Sequence, residues 1–254
     1  MSSTLRSLWM WCATITAVLL WLPLLSILRL FDRKPPYFRA GRWFRLLGMA
    51  MVKLNPAWRV HISGKEQVAR RHPYVVVSNH QSLVDIPLIS CLPWEMKWIA
   101  KAELFKIPIV GWMMRMAGDI PLDRKGRGGA QALLRAKKYL QLNCPVMIFP
   151  EGTRSPDGRL QPFTDGAFHL AIKAQVPVLP IVLEGSHPCL EKGSWKFGEP
   201  QDIYMKVLPP VPTTGMTSRD TTALRDKVHR RIAEELSLMR NVSPEEVVSE
   251  ARPE

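Results

Sequence analysis

Tyr74-Val75-Val76-Val77-Ser78-Asn79-His80-Gln81-Ser82-Leu83-Val84-Asp85 joins a β-branched apolar run to a polar loop that holds a histidine and, five residues on, an aspartate. Residues 74–78 read as a buried strand, because valines pack well on a pleated surface. The arrangement returns downstream, where apolar residues 146–149 lead into Pro150-Glu151-Gly152-Thr153-Arg154-Ser155. Outward from these two segments, residues 58–62, 97–100, 119–122 and 178–183 also read as strands. Residues 108–117, 128–142 and 166–175 read as helices. A last helix over 218–239 carries Leu224, Val228, Ile232 and Leu236 at helical spacing. Such alternation predicts an α/β domain with a largely parallel central sheet flanked by helices. In such sheets chemistry gathers where strands end, and both polar loops lie there.

The chain has 254 residues and a net charge of +13, unevenly spread. Residues 1–150 carry 22 Lys and Arg against 7 Asp and Glu, and the remainder is close to neutral. A basic first half suggests contact with anions: nucleic acid, an anionic bilayer or phosphorylated small substrates. Four cysteines, Cys12, Cys91, Cys144 and Cys189, stand too far apart for a metal knuckle or redox pair, which predicts a reducing compartment. The histidines are scattered, so no metal site is expected.

Ser7 to Leu28 is free of charge. A helix of roughly 20 apolar residues suffices to cross a bilayer's hydrocarbon. Trp9, Trp11 and Trp21 suit its interface, and Pro23 falls inside the run. The stretch is long for a signal peptide and lacks a small-residue cleavage pattern, so a retained anchor is expected. Basic side chains follow the run at 29, 33, 34, 39, 42, 45 and 53, with Asp32 as the single acid, which assigns the main domain to the cytoplasmic face. Whether the run spans the bilayer or enters one leaflet is left open. Residues 37–54 read as a second, basic amphipathic helix, suited to an anionic surface or to packing on the domain. Because much of the charge flanks this apolar segment, lipid is favoured over nucleic acid. The chain thus divides into an anchoring helical pair (1–56), an α/β domain (57–240) and a flexible acidic tail (241–254).

His80 and Asp85 cannot meet within one helix, since five residues turn the side chains about 140° apart. They meet if His80 lies in the loop and Asp85 in the first helical turn, with Ser82 as N-cap. The same fit allows Asp85 to complete a capping box beside an ordinary loop histidine, and spacing alone leaves both readings open.

Asn79-His80-Gln81-Ser82-Leu83-Val84-Asp85 resembles the Asn-His-x4-Asp signature of the glycerolipid acyltransferases. Phe149-Pro150-Glu151-Gly152-Thr153-Arg154-Ser155 resembles their third motif, and Gly118–Arg124 their second. Val176–Pro180 resembles the fourth, and Lys101-Ala102-Glu103-Leu104 a Lys-x-x-Leu element. All stand in the family's order over residues 75–185. Pro121 departs from the β-branched, aromatic character usual before the second motif's basic residue. Within the family the chain is most similar to 1-acyl-glycerol-3-phosphate acyltransferases of the compact bacterial type. The resemblance implies an α/β domain behind a membrane-embedded helical pair, at the inner face of a bacterial inner membrane.

It also implies acyl transfer from acyl-coenzyme A or acyl-carrier protein to the free glycerol hydroxyl of a lysophospholipid, lysophosphatidate above all, with no other cofactor. His80 would then be the general base and Asp85 its orienting acid. Arg124 and Arg154 would clamp the acceptor's phosphate, since guanidinium matches phosphate geometry. Lys101 would add a point charge. Glu151 would hold a glycerol hydroxyl or orient an arginine, and Gly152 and Thr153 would complete the acceptor site. Read without the family, Arg124 is a solvated loop residue beside Lys125 and Arg127, and Glu151 with Arg154 a local turn ion pair. Another lysophospholipid or lyso-aminolipid acceptor, and a non-enzymatic anionic-membrane binder, are the alternatives. The Gly-x-Ser-x-Gly elbow, the phosphate-binding loop and the dinucleotide fingerprint are not met.

Overall fold

Seven short strands carry the apolar runs into one sheet. In chain order they are β1 (Trp58–Ser63), β2 (Val75–Ser78), β3 (Lys97–Lys101), β4 (Ile120–Leu122), β5 (Val146–Ile148), β6 (Val178–Glu184) and β7 (Gln201–Val207). The structure, a computed structural model, describes residues 3–69, 71–123 and 128–249. The spatial order is β1-β7-β6-β2-β5-β3-β4. Every pairing is parallel except β6 with β7, so the expected largely parallel sheet is present. Every residue of β2 is buried, and all of β6 but its last. A sheet covered on both faces needs continuous apolar strands rather than alternation. Sequence reading missed β7. Ile203, Met205 and Val207 alternate inward there, but Asp202, Lys206 and the following Pro209-Pro210 obscure the period.

Eight helices accompany the sheet among the described residues: α1 (Ser3–Phe31), α2 (Phe38–Lys53), α3 (Asp85–Ile89), α4 (Val110–Ala117), α5 (Gly128–Gln141), α6 (Gly166–Ala174), α7 (Thr221–Arg240) and α8 (Pro244–Val247). One apolar layer joins α5, α6 and α7 to the inward valines Val75, Val77, Val146 and Val178. A second layer buries Val76, Leu88, Trp94, Met147 and Leu179 on the other side of the sheet.

The tail expected to be loose is docked up to Ser249. Ser243-Pro244-Glu245-Glu246 makes a capping box with proline at its start, which nucleates α8. Val247 is fully buried, and the Leu160 N–H donates to its carbonyl at 2.8 Å.

The N-terminal pair is helical as expected, and Pro23 is accommodated within α1. Over Thr4–Phe31 this helix is long and apolar enough to cross a membrane, and it is largely uncovered. Yet both its ends rest on the same domain. Arg6 donates to Gly198 O at 2.6 Å, the Trp11 ring N–H to Trp195 O at 2.7 Å, and Leu25 is sealed against Leu47 and Met113. The basic face of α2 turns inward at two of its three positions: Arg42 donates to Leu92 O, and Arg45 is buried.

Arg45 holds both carboxylate oxygens of Asp119, at 2.5 and 2.6 Å. Asp119 Oδ1 also accepts the Trp98 N–H at 3.0 Å. Lys97 Nζ donates to Glu95 at 2.8 Å and to the Ala117 carbonyl at 2.7 Å. Burial pushes the Glu95 carboxyl above its ordinary range, against the pull of Lys97 and Arg45. Gly41 makes room for this cluster, because a Cβ there would overlap Glu95 and Lys97. Breaking one member of such a pair strands a buried charge, at a cost of about 3–5 kcal/mol. Asp119→Ala should therefore lower the unfolding free energy, read from urea melts of the detergent-solubilised protein, by about 3–5 kcal/mol. Adding Arg45→Met to Asp119→Ala should recover part of the loss, because the stranded charge is gone.

Candidate active site

At the end of β2, the Asn79 side chain behaves like one more strand residue. Its amide donates to Leu183 O and its oxygen accepts the Leu183 N–H, both at 2.8 Å. That pins the start of the loop to β6. His80 comes next, and its backbone is stitched to the second polar loop: its N–H donates to Glu151 Oε1 at 2.8 Å, and its carbonyl accepts the Ser155 N–H at 2.8 Å.

Asp85 is the first residue of α3 and has no solvent exposure. Its Oδ2 accepts three N–H groups: His80 Nδ1 at 2.8 Å, the Gln81 backbone at 2.7 Å and the Ser82 backbone at 2.9 Å. The loop curls back, so the five-residue spacing brings the pair together where a continuous helix would not. A carboxylate oxygen shared with two backbone donors acts as acceptor, which puts the ring proton on Nδ1. Ser82 is not the N-cap expected of it. It is buried, and its hydroxyl donates to the Leu190 carbonyl at 2.7 Å. Asp85 thus gathers the backbone N–H groups of the loop before α3 while also holding the histidine.

The His80 ring stacks on Phe149 with centroids 3.9 Å apart and planes 12° apart. Trp98 packs against the same phenylalanine at 5.8 Å. These three rings line a cavity of about 300 Å³ together with Lys101, Gly152, Thr153, Arg154 and Lys192. Leu83, Ile86, Leu104 and Leu122 supply an apolar side. His80 Nε2 has no partner among the described residues. Lys101, Arg154 and Lys192 form no ion pair among them either. The cavity therefore joins an oriented imidazole, uncommitted cations and an apolar wall. A larger hollow of about 720 Å³ beside α5 contains no acid–base pair.

Of the expected site residues, His80, Asp85, Lys101, Gly152, Thr153 and Arg154 come together. Arg124 lies outside the described residues. Gly152 has φ +76°, a turn conformation that disfavours a side chain. Glu151 does not line the cavity and makes no ion pair with Arg154. One oxygen takes the His80 N–H and the other the Gln161 N–H at 3.3 Å. Both oxygens are thus engaged inside the protein and tie the His80 and Gln161 backbones together. Burial pushes its carboxyl well above the ordinary range, opposed by those two N–H groups and assisted by the charge of Asp85. Sequence reading missed Trp98 and Lys192 and gave Phe149 no role. Phe149 stood within the quoted motif, whereas Lys192 carries no local signal.

The Acyltransferase family profile matches residues 59–184. Mouse 1-acyl-sn-glycerol-3-phosphate acyltransferase alpha is 39% identical over 188 residues, covering 73% of this chain and 65% of the mouse protein. The human beta protein of the same name is 33% identical over 222 residues, 86% of this chain and 77% of the relative. The chloroplast protein BAT2 of Brassica napus is 34% identical over 219 residues, with 85% and 60% covered. The chain therefore spans less than two thirds of the mouse and Brassica proteins. Among solved structures, the 1-acyl-sn-glycerophosphate acyltransferase PlsC of Thermotoga maritima superposes with a TM-score of 0.78 at 27% identity, covering 94% of this chain and 97% of that one.

Glu151→Gln keeps the shape of the stitch but sets an amide NH2 against one of two backbone N–H groups. An unsatisfied buried donor costs about 1–3 kcal/mol, and urea melts near neutral pH should report that loss. The pH dependence should change as well. A carboxyl whose folded pKa is raised binds its proton in the folded state above the unfolded value of 4.5, so stability falls as pH rises from there. The glutamine variant should lack that slope.

Proposed function

The chain belongs to the acyltransferase family, and from that membership we propose that it moves a fatty acyl group from acyl-coenzyme A or acyl-carrier protein onto the free glycerol hydroxyl of lysophosphatidate, giving phosphatidate. The observation that carries the reading is the 2.8 Å bond from His80 Nδ1 to Asp85, with the ring lining a cation-bearing cavity. The names of the relatives point to the same acceptor.

An alcohol is a poor nucleophile near neutral pH and needs a base as it attacks. With Nδ1–H committed to Asp85, the Nε2 lone pair of His80 receives the hydroxyl proton. The alkoxide oxygen forms the new C–O bond at the thioester carbonyl, and the C–S bond breaks. The imidazolium then returns its proton to the departing thiolate. Asp85 stabilises the positive ring between those transfers, as the buried carboxylate does in hydrolytic triads. Stacking on Phe149 limits the ring to one plane, so less orientation is lost on reaching the transition state. Arg154, Lys101 and Lys192 meet the acceptor's phosphate. The apolar wall of Leu83, Ile86, Leu104 and Leu122 receives the first methylenes of an acyl chain.

A membrane seat fits lipid substrates. Helix α1 is about 43 Å long at 1.5 Å per residue. A span would separate its ends by a bilayer, yet Arg6 and Leu25 both touch the domain. The helix therefore lies in one leaflet, its uncovered leucines in the acyl region. The positive residues that follow it favour the cytoplasmic side.

Three variants assayed with lysophosphatidate and an acyl thioester test the proposal. His80→Ala should abolish phosphatidate formation without lowering the melting temperature by more than a few degrees. Asp85→Asn should cut kcat by about 10²–10⁴ with little change in KM, the range for losing oriented base catalysis. Arg154→Ala should raise KM for lysophosphatidate more than for an acceptor without a phosphomonoester. Normal turnover by His80→Ala would remove the general-base assignment, and an equal KM rise for every acceptor would remove the clamp.

A further inference from the structure

Between β3 and β4 the chain makes a small hairpin, a tight 3-10 turn over Ala102–Lys106 followed by α4. Its two limbs are in backbone contact at Gly111, where a Cβ would overlap the Phe105 carbonyl. At the apex Ile109 has φ +66° and ψ −65°, and the Val110 N–H donates to Pro108 O at 2.7 Å. That is the strained form of a three-residue turn, in a region that β-branched residues avoid. Such strain persists only where surrounding packing holds it and points to a demand other than stability. Here Ile109 packs among Leu25, Leu47 and Met113.

What the strained apex exposes is apolar. Leu104, Ile107, Val110 and Trp112 are 37%, 45%, 37% and 53% exposed within nine residues. Lys101, Lys106 and Arg115 stand exposed around them without an ion pair among the described residues, and Glu103 is the single acid of the segment. Apolar side chains including tryptophan, rimmed by cations, form the pattern of a segment that enters an anionic lipid interface. Two neighbours fix its setting. Met113 and Met116 pack beside Trp21, Leu22 and Leu25 of α1, so the crest adjoins the uncovered apolar helix. Lys101 and Leu104 also line the catalytic cavity, so the crest stands at its mouth. A second copy of the chain fits poorly, because a symmetric contact would press two cationic rims together.

We propose that the 101–117 hairpin is a second membrane contact, carried by the catalytic domain itself, which dips into an anionic leaflet and holds the cavity mouth at head-group depth. The proposal rests on the one-leaflet seat of α1 argued above and not on the acyl-transfer chemistry.

The test uses the full chain with Cys12→Ala and Cys91→Ala. Cys144 and Cys189 are buried, and their thiols are pushed up to about 12, so they do not compete for label. Ile107→Cys is then labelled with an environment-sensitive fluorophore. With vesicles of equal parts phosphatidylglycerol and phosphatidylcholine, its emission should shift to the blue. Lipids spin-labelled near the head group should quench it. The same label at Ser218→Cys, before α7 on the other side of the sheet, should do neither. Pure phosphatidylcholine vesicles should give a weaker shift. Sedimentation of the protein with vesicles while the 107 label stays open to aqueous iodide would overturn the proposal. So would shielding that grows with protein concentration in the absence of lipid.

An activity arm separates this idea from the enzymatic one. Ile107→Ser with Trp112→Ser should slow transfer to vesicle-borne lysophosphatidate severalfold and leave transfer to the detergent-dispersed acceptor unchanged. A wild-type protein that transfers no acyl group, yet whose label enters the bilayer, would sink the function and keep the contact.

Discussion

Three N–H groups converge on one oxygen of Asp85, and the site depends on that convergence. A buried carboxylate is tolerated only if donors replace the water it loses. Here the donors are the His80 ring and the backbone of Gln81 and Ser82. Two of the three bonds fix the loop's path, and the third fixes the ring. Solvation of the acid and orientation of the base are therefore one interaction. The same economy appears at Glu151, whose two oxygens tie the His80 backbone to residue 161 across the site. The loops that carry the chemistry are held by charge-assisted bonds, which are shorter and stronger than neutral ones.

The second constraint lies at the seam between the N-terminal helices and the sheet. Arg45, Glu95, Lys97 and Asp119 bury four charges where leucines would pack as well, and ion pairs of this kind are poor investments in stability alone. Their directional bonds instead allow α2 one seat on the domain. From Asp119 the contact runs to the Trp98 N–H, from the Trp98 ring to Phe149, and from Phe149 to the face of His80. The histidine's shelf is thus built on the strand that also anchors α2. Its orientation and the domain's seat share one set of contacts.

The sheet's centre was legible because buried parallel strands must be continuously apolar, and Val75-Val76-Val77 and Val178–Leu183 are. The edge strand β7 was not, because a half-exposed strand carries charges that mimic a loop. Its antiparallel pairing with β6 is a tertiary fact with no local trace. The His80–Asp85 contact was legible as a possibility from spacing, and the family resemblance turned it into an expectation. The direction of Glu151 was not legible. A carboxylate in a polar loop reads as substrate-binding until the backbone N–H groups that claim it are seen. Arg45 misled in the same way. A repeat of arginines every third residue reads as a basic face, yet Arg45 is buried and spent on Asp119. In the tail, acidic composition hid the capping box that starts α8.

Asp85 and Glu151 sit close enough that the charge of one raises the pKa of the other. The two acids draw on separate donors, and burial disfavours the charged form of Glu151. Burial raises the Glu151 carboxyl, and its two backbone N–H donors oppose the rise without cancelling it. Asp85 has a cationic partner available whenever His80 takes up a proton, whereas Glu151 faces only backbone dipoles. The Asp85 carboxylate is aligned with Nδ1, on the side of the ring away from Nε2. A proton arriving at Nε2 is therefore stabilised through the ring by that carboxylate, while its bonds to the Gln81 and Ser82 N–H groups keep the loop in place.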